Sequence, residues 1–166
     1  MARPPFRVGH GYDIHRFGDA GELVLGGVRF PELPALAGHS DGDAVLHAVA
    51  DALLGAAGLG DIGAVFPPGD PATRGADSML LLREIVARVQ GGGWTPVNLD
   101  VTVIAERPRL APRVTEMRAA IAAAIGVDAA AVSVKGKTNE GLDSVGRGEA
   151  VAVHAVALLS RVTDAG

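Results

Sequence analysis

His10-Gly11-Tyr12-Asp13-Ile14-His15, the stretch around which the chain is organised, places an aspartate and a histidine two residues apart. On an extended backbone such residues point to the same side, so Asp13 and His15 make half of a metal site. The other half can come from His47 in Ser40-Asp41-Gly42-Asp43-Ala44-Val45-Leu46-His47, which reads as a helix start with Ser40 or Asp41 as N-cap. Two imidazoles and one carboxylate suit zinc, and three protein ligands leave the fourth tetrahedral position to water or substrate. The same spacing also fits an Asp13 that caps a turn, an exposed His15 and a His47 packed in the core, because D-x-H is a short motif.

Working outward, 166 residues with 48% hydrophobic content suffice for one domain with a real core. A formal charge of -4 without a basic run argues against a nucleic-acid partner. The absence of cysteine removes disulfides, thiolate nucleophiles and Cys-rich zinc sites together. No apolar run approaches the span of a bilayer and Met1-Ala2-Arg3-Pro4-Pro5 does not resemble a signal sequence, so the expectation is a soluble cytoplasmic protein without a membrane partner.

Residues 6–13 read as a first strand, in which Gly9 and Gly11 permit close approach of a backbone or ligand, and His10 is read as structural. Leu23-Val24-Leu25 and Val28-Arg29-Phe30 around Gly26-Gly27 predict a hairpin. An irregular connection then delivers His39 and Ser40 to the mouth of a helix over 41–57, whose stripe is Leu46, Val49, Ala50, Leu53 and Ala57. Asp43, His47 and Asp51 share another face, so Asp51 is a candidate partner for the outer ring nitrogen of His47. Residues 60–71 are too rich in glycine and proline for regular structure and predict a binding loop, with Asp61 able to hold a hydroxyl between Ile62 and Phe66.

A second helix is expected over 77–89, a half-buried strand over 98–105, and a third helix opening at Pro112 and closing at Gly126. Between the last two, Glu106-Arg107-Pro108-Arg109-Leu110 reads as a charged loop. After a strand over 132–135 comes Lys135-Gly136-Lys137-Thr138-Asn139-Glu140-Gly141-Leu142-Asp143-Ser144-Val145-Gly146-Arg147-Gly148-Glu149. Glycines, cations and a hydroxyl at this density can wrap phosphates, and Glu140 can hold a hard cation that the phosphates share. A final strand over 150–159 is nearly continuous in Ala, Val and Leu, with His154 read as a packed core histidine.

From Val8 to Leu159 the chain resembles the 2-C-methyl-D-erythritol 2,4-cyclodiphosphate synthases of the non-mevalonate isoprenoid pathway. The resemblance is carried by Gly9-His10-Gly11-Tyr12-Asp13-Ile14-His15, Ala37-Gly38-His39-Ser40-Asp41-Gly42-Asp43, Gly60-Asp61-Ile62-Gly63, Phe66-Pro67, Gly75-Ala76-Asp77-Ser78 and Gly146-Arg147-Gly148-Glu149. It implies a lyase that converts 4-diphosphocytidyl-2-C-methyl-D-erythritol 2-phosphate to the 2,4-cyclodiphosphate and CMP. It implies zinc on Asp13, His15 and His47, a magnesium or manganese ion on Glu140, and transition-state stabilisation by His39 and Thr138. Ser40, Asp61, Ile62, Gly63 and Phe66 match positions around the methylerythritol portion. Ala105-Glu106-Arg107-Pro108-Arg109-Leu110-Ala111 matches the segment that shapes the cytidine pocket. Lys137, Asn139, Ser144 and Arg147 complete the implied substrate contacts. The implied fold is a single α/β (α+β) domain over 1–166, with a mainly four-stranded sheet, helices on its outer face, a small hairpin, and a homotrimer around a threefold axis with active sites between subunits. Three departures stand out: Pro68 where an aspartate is frequent, Asp143-Ser144 in place of a common Gly-Phe pair, and Lys137 where a threonine is frequent.

Overall fold

Gly9 and Gly11 set the first layer of the structure. In the computed structural model, which describes residues 5–38, 40–67, 69 and 75–162, they lie in strand β1, Phe6–Arg16, with their bare backbones against helix α1, Ala44–Ala57. A Cβ at Gly9 would sit 2.0 Å from the Ala52 carbonyl oxygen, and one at Gly11 would sit 1.9 Å from that of Ala48. The approach that these glycines permit is therefore that of α1, whose Ala48, Ala52 and Ala56 complete a flat contact. Alternation then places Gly9, Gly11, Asp13 and His15 on the helix side and Phe6, Val8, Tyr12 and Ile14 on the other.

The expected hairpin forms as β2, Leu23–Leu25, and β3, Val28–Phe30, with positive φ at Gly26 and Gly27. Its turn explains a correction. The N-cap of α1 is Asp43 rather than Ser40 or Asp41. Asp43 Oδ1 accepts from Val45 N and Leu46 N at 3.1 Å and from Gly26 N at 2.9 Å, while Oδ2 accepts from Gly27 N at 2.8 Å. One fully buried carboxylate thus caps the helix and ties down the hairpin turn.

The glycine-rich connection also holds regular structure: a short helix α2, Ile62–Val65, is capped by Asp61, which accepts from Ala64 N at 2.8 Å. Helix α3 spans Ser78–Gly91, strand β4 Trp94–Ile104, helix α4 Val114–Ile125 and strand β5 Val132–Lys137. A short helix α5, Asp143–Gly146, precedes strand β6, Ala150–Arg161.

The main sheet has the order β1-β6-β4-β5, antiparallel except for the parallel β4–β5 pair. Val151, Val153, Ala155, Ala157 and Leu159 of β6 are fully buried on the helix side with Val45, Val49, Leu53 and Ile85. The far face of the sheet is open along β1, where Phe6 is 54% and Val8 67% exposed. His154 lies on that face rather than in the core; it is half-buried, and its Nδ1 is 3.0 Å from Nε2 of His10. Among the described residues no helix is long and apolar enough to cross a membrane.

Candidate active site

The β1–α1 contact brings His47 over the strand residues Asp13 and His15. His15 Nε2 lies 2.9 Å and His47 Nδ1 3.0 Å from the same oxygen, Asp13 Oδ2. One ligand atom from each of the three side chains falls within 4.8 Å of the others, close enough to share one ion. The outward nitrogens are also engaged. His15 Nδ1 donates to the Ala37 carbonyl at 2.5 Å, and His47 Nε2 lies 2.9 Å from Ser40 Oγ and 3.1 Å from Ser78 Oγ. Outer partners of this kind orient imidazoles toward a metal. The two-nitrogen, one-oxygen donor set fits zinc.

Charge in the cluster follows the same geometry. Burial acts to raise the Asp13 carboxyl, but the hydrogen bonds and charges of His15 and His47 outweigh it and hold the group at about 2. His15 is raised by its bond to Asp13, against its burial and with help from the Ala37 carbonyl. Asp51 is not the outer partner of His47. It accepts from Ile62 N at 2.8 Å, supplying the acceptor that the first turn of α2 requires, and burial raises its carboxyl.

At the opposite edge of the sheet, the ends of β4 and β5 open into a cavity of about 570 Å³. Ala105, Glu106, Pro108, Arg109, Leu110 and Ala111 line one side and Lys137 and Thr138 the other. Glu106 Oε1 accepts from Asn139 N at 3.2 Å, joining the two walls. Arg107 is not part of this lining; its guanidinium lies 5.7 Å from the centre of the Phe17 ring. Register relates the two halves of the site: Asp13 pairs with Val153, Val153 with Val103, and Val103 with Gly136. Asp13 and Gly136 of β5 therefore share a row of the sheet three spacings apart, about 14 Å.

A sequence model described as the YgbB family matches residues 6–160. The chain belongs to the YgbB family. It is 56% identical over 159 residues to the 2-C-methyl-D-erythritol 2,4-cyclodiphosphate synthase of Bordetella petrii, covering 96% of this chain and 98% of that one. Among solved structures it superposes on the IspF of Plasmodium falciparum in its CDP complex with a TM-score of 0.85 at 32% identity, covering 98% of this chain and 100% of that one. It also superposes on the bifunctional IspDF of Campylobacter jejuni with a TM-score of 0.91 at 38% identity, covering 94% of this chain and 42% of that larger one.

In this YgbB-family chain the remaining expected residues are dispersed around the two halves. His39 lies outside the described residues. Ser40 meets His47 as described, Asp61, Ile62 and Gly63 form the start of α2, and Phe66 follows it, half-buried against the core. Thr138 Oγ1 donates to Glu140 Oε1 at 3.0 Å, and Glu140 itself adopts a positive φ of 52°. Asn139 Nδ2 donates to Asp143 Oδ2 at 2.9 Å, Ser144 sits in α5, and Arg147 is paired with Glu149 at 2.7 Å. The sequence reading assigned no individual role to Ser78 and read Asp41 only as a helix cap; in the structure Asp41 holds Ser78, which stands behind His47. The available signal was that Gly75-Ala76-Asp77-Ser78 carried part of the resemblance while lying in neither the metal motif nor the phosphate loop.

Proposed function

We infer that this chain is a 2-C-methyl-D-erythritol 2,4-cyclodiphosphate synthase, converting 4-diphosphocytidyl-2-C-methyl-D-erythritol 2-phosphate to 2-C-methyl-D-erythritol 2,4-cyclodiphosphate and CMP, a phosphorus–oxygen lyase of the non-mevalonate pathway. The observation that carries the reading is the convergence of Asp13, His15 and His47 in a chain 56% identical, over almost its full length, to a synthase of that name. The CDP bound by the Plasmodium falciparum relative supports a cytidine diphosphate substrate here.

The substrate's own 2-phosphate attacks the β-phosphorus of its diphosphate and CMP departs, so no enzyme nucleophile is needed, and a chain without cysteine can perform the step. What the protein must supply is placement of two anions and neutralisation of developing charge. Asp13, His15 and His47 would hold zinc and Glu140 would hold magnesium or manganese, and when bound the ions would supply Lewis acidity and neutralise charge on the substrate's phosphates. The 570 Å³ cavity would take the cytidine portion, and Lys137 and Thr138 of its second wall would face the diphosphate. His39 and Thr138 stabilise the transition state in this reading. Ser40, Asp61, Ile62, Gly63 and Phe66 receive the methylerythritol part, with Asn139, Ser144 and Arg147 as further contacts.

The whole chain, 1–166, acts as one domain in a cytoplasmic homotrimer with active sites between subunits. Two observations support that assembly. The open sheet face carries Phe6, Val8, Tyr12, Ile14 and Val156, an apolar surface of the kind that marks an interface. The metal cluster and the phosphate loop also stand at opposite edges of one sheet, so a neighbouring copy can place its loop against this cluster. Light scattering should give three chains per particle; an active monomer would refute the assembly. The reaction is tested by turnover in solvent enriched in heavy oxygen. Cyclisation leaves the product unlabelled, whereas hydrolysis by a metal-bound water would label it and overturn the synthase reading.

A further inference from the structure

The nitrogen of His47 that faces away from Asp13 meets two hydroxyls that are not equivalent. Ser78, at the start of α3, is 1% exposed. Its hydroxyl donates to Asp41 Oδ1 in a very short bond, and its backbone N–H donates to Oδ2 of the same carboxylate at 3.1 Å. An ionised carboxylate only accepts, so the Ser78 proton is committed to Asp41 and only lone pairs remain for its other neighbours. His47 Nε2, 3.1 Å away, must then be the N–H end of the ring, which leaves Nδ1, facing Asp13, as the end that offers a lone pair. Ser40 Oγ also lies near Nε2 and is 3.2 Å from Ser78 Oγ, but no carboxylate bond fixes its hydroxyl, which can rotate to give or to accept.

We propose that Ser78, locked by Asp41, is the positioning residue that fixes the ring of His47 for metal binding. The inference rests on reading Asp13, His15 and His47 as the metal ligands. It gives the first turn of α3 a role in a site built from β1 and α1. Asp41 N also donates to the Ala76 carbonyl at 3.2 Å, so the segment before α3 and the segment before α1 are held together at this joint. Without the Ser78 hydroxyl, Ser40 can donate to Nε2 as readily as accept from it, and the ring is no longer restricted to the tautomer the metal needs.

The test uses the full chain and zinc alone. Competition with a chelator should show Ser78→Ala binding zinc about 10- to 100-fold more weakly, the range typical of partners behind a metal ligand. Ser78→Thr, which keeps the hydroxyl, should recover most of that loss. In the zinc-loaded wild type the His47 Nε2 proton should give a slowly exchanging imidazole N–H signal in NMR, and Ser78→Ala should lose it. At saturating zinc the Ala variant should regain most of its turnover, because Ser78 orients a ligand and does not touch substrate. Asp41→Asn, which frees the Ser78 proton, decides the matter if Ser78→Ala does not fold, and should also weaken zinc. Zinc affinity within twofold of wild type in the variants that fold, or equal losses in Ser78→Ala and Ser78→Thr, would overturn the proposal. A His47→Ala control that still binds a full equivalent of zinc would instead overturn the ligand assignment beneath it.

Discussion

Gly11→Ala probes how the packing of β1 and α1 builds the site. The new Cβ would lie 1.9 Å from the Ala48 carbonyl oxygen, against a floor of 3.0 Å for real Cβ contacts, so strand and helix must separate by at least about 1.1 Å. The obstacle is helix backbone, which cannot turn aside as a side chain would. The cost therefore belongs at the upper end of overpacking, about 3 kcal/mol. His47 is the residue next to Ala48 and rides on the same turn of α1. Metal–ligand distances tolerate only about 0.2 Å, so a shift of this size should also weaken zinc binding by tenfold or more. Urea denaturation and chelator competition measure the two effects. Gly91→Ala, where an added Cβ has nothing within 4 Å, is the control and should not destabilise. A Gly11→Ala protein with wild-type urea midpoint and wild-type zinc affinity would refute the reasoning.

His47→Ala should bind less than one zinc per chain and lose activity, which metal analysis of the purified variant checks. Thr138→Ala should keep the wild-type zinc content, oligomeric state and CDP affinity while turnover falls about a hundredfold, on the order of 3 kcal/mol, if its hydroxyl meets the growing phosphate charge; near-normal turnover would make that hydroxyl structural. Burial, helped by the charge of Asp41, pushes the Asp43 carboxyl from 3.8 up to about 6 against the backbone donors Gly27, Gly26 and Leu46. The folded state then holds more protons than the unfolded state between those values, so this group makes stability fall as pH rises from about 4 to 6, by up to about 3 kcal/mol. Asp43→Asn should lose that slope in urea midpoints taken across the range, and an unchanged slope would contradict the assignment.

The parts of the fold legible in the sequence are those set by neighbours along the chain. The Gly26-Gly27 turn and the helical stripe of α1 each state a local geometry and appear as read, and the strand read over 6–13 is present and extends to Arg16. Asp13, His15 and His47 were legible as a set because a period-two pair on a strand and a histidine in the first turns of the next helix need only one packing contact to meet. What escaped depends on partners distant in sequence. Ser40, Asp41 and Asp43 are all competent N-caps, and the choice falls to Asp43 because only its carboxylate also reaches Gly26 N and Gly27 N. Asp51 shares a helix face with His47, yet it turns to Ile62 N because α2 opens beside it. His154 looked like core in an apolar strand until its register with Tyr12 placed it on the open face beside His10. The Asp61 cap of α2 was readable in principle, but the surrounding glycines and prolines outweighed it.

Phosphorus NMR of the purified protein mixed with 4-diphosphocytidyl-2-C-methyl-D-erythritol 2-phosphate, zinc and magnesium tests the central claim most directly. The substrate's three phosphorus signals should give way to CMP and the paired doublets of a cyclic diphosphate, and His47→Ala should leave the substrate unchanged. Release of CMP together with an open-chain bisphosphate, or an unaltered substrate spectrum from zinc-replete wild type, would contradict it.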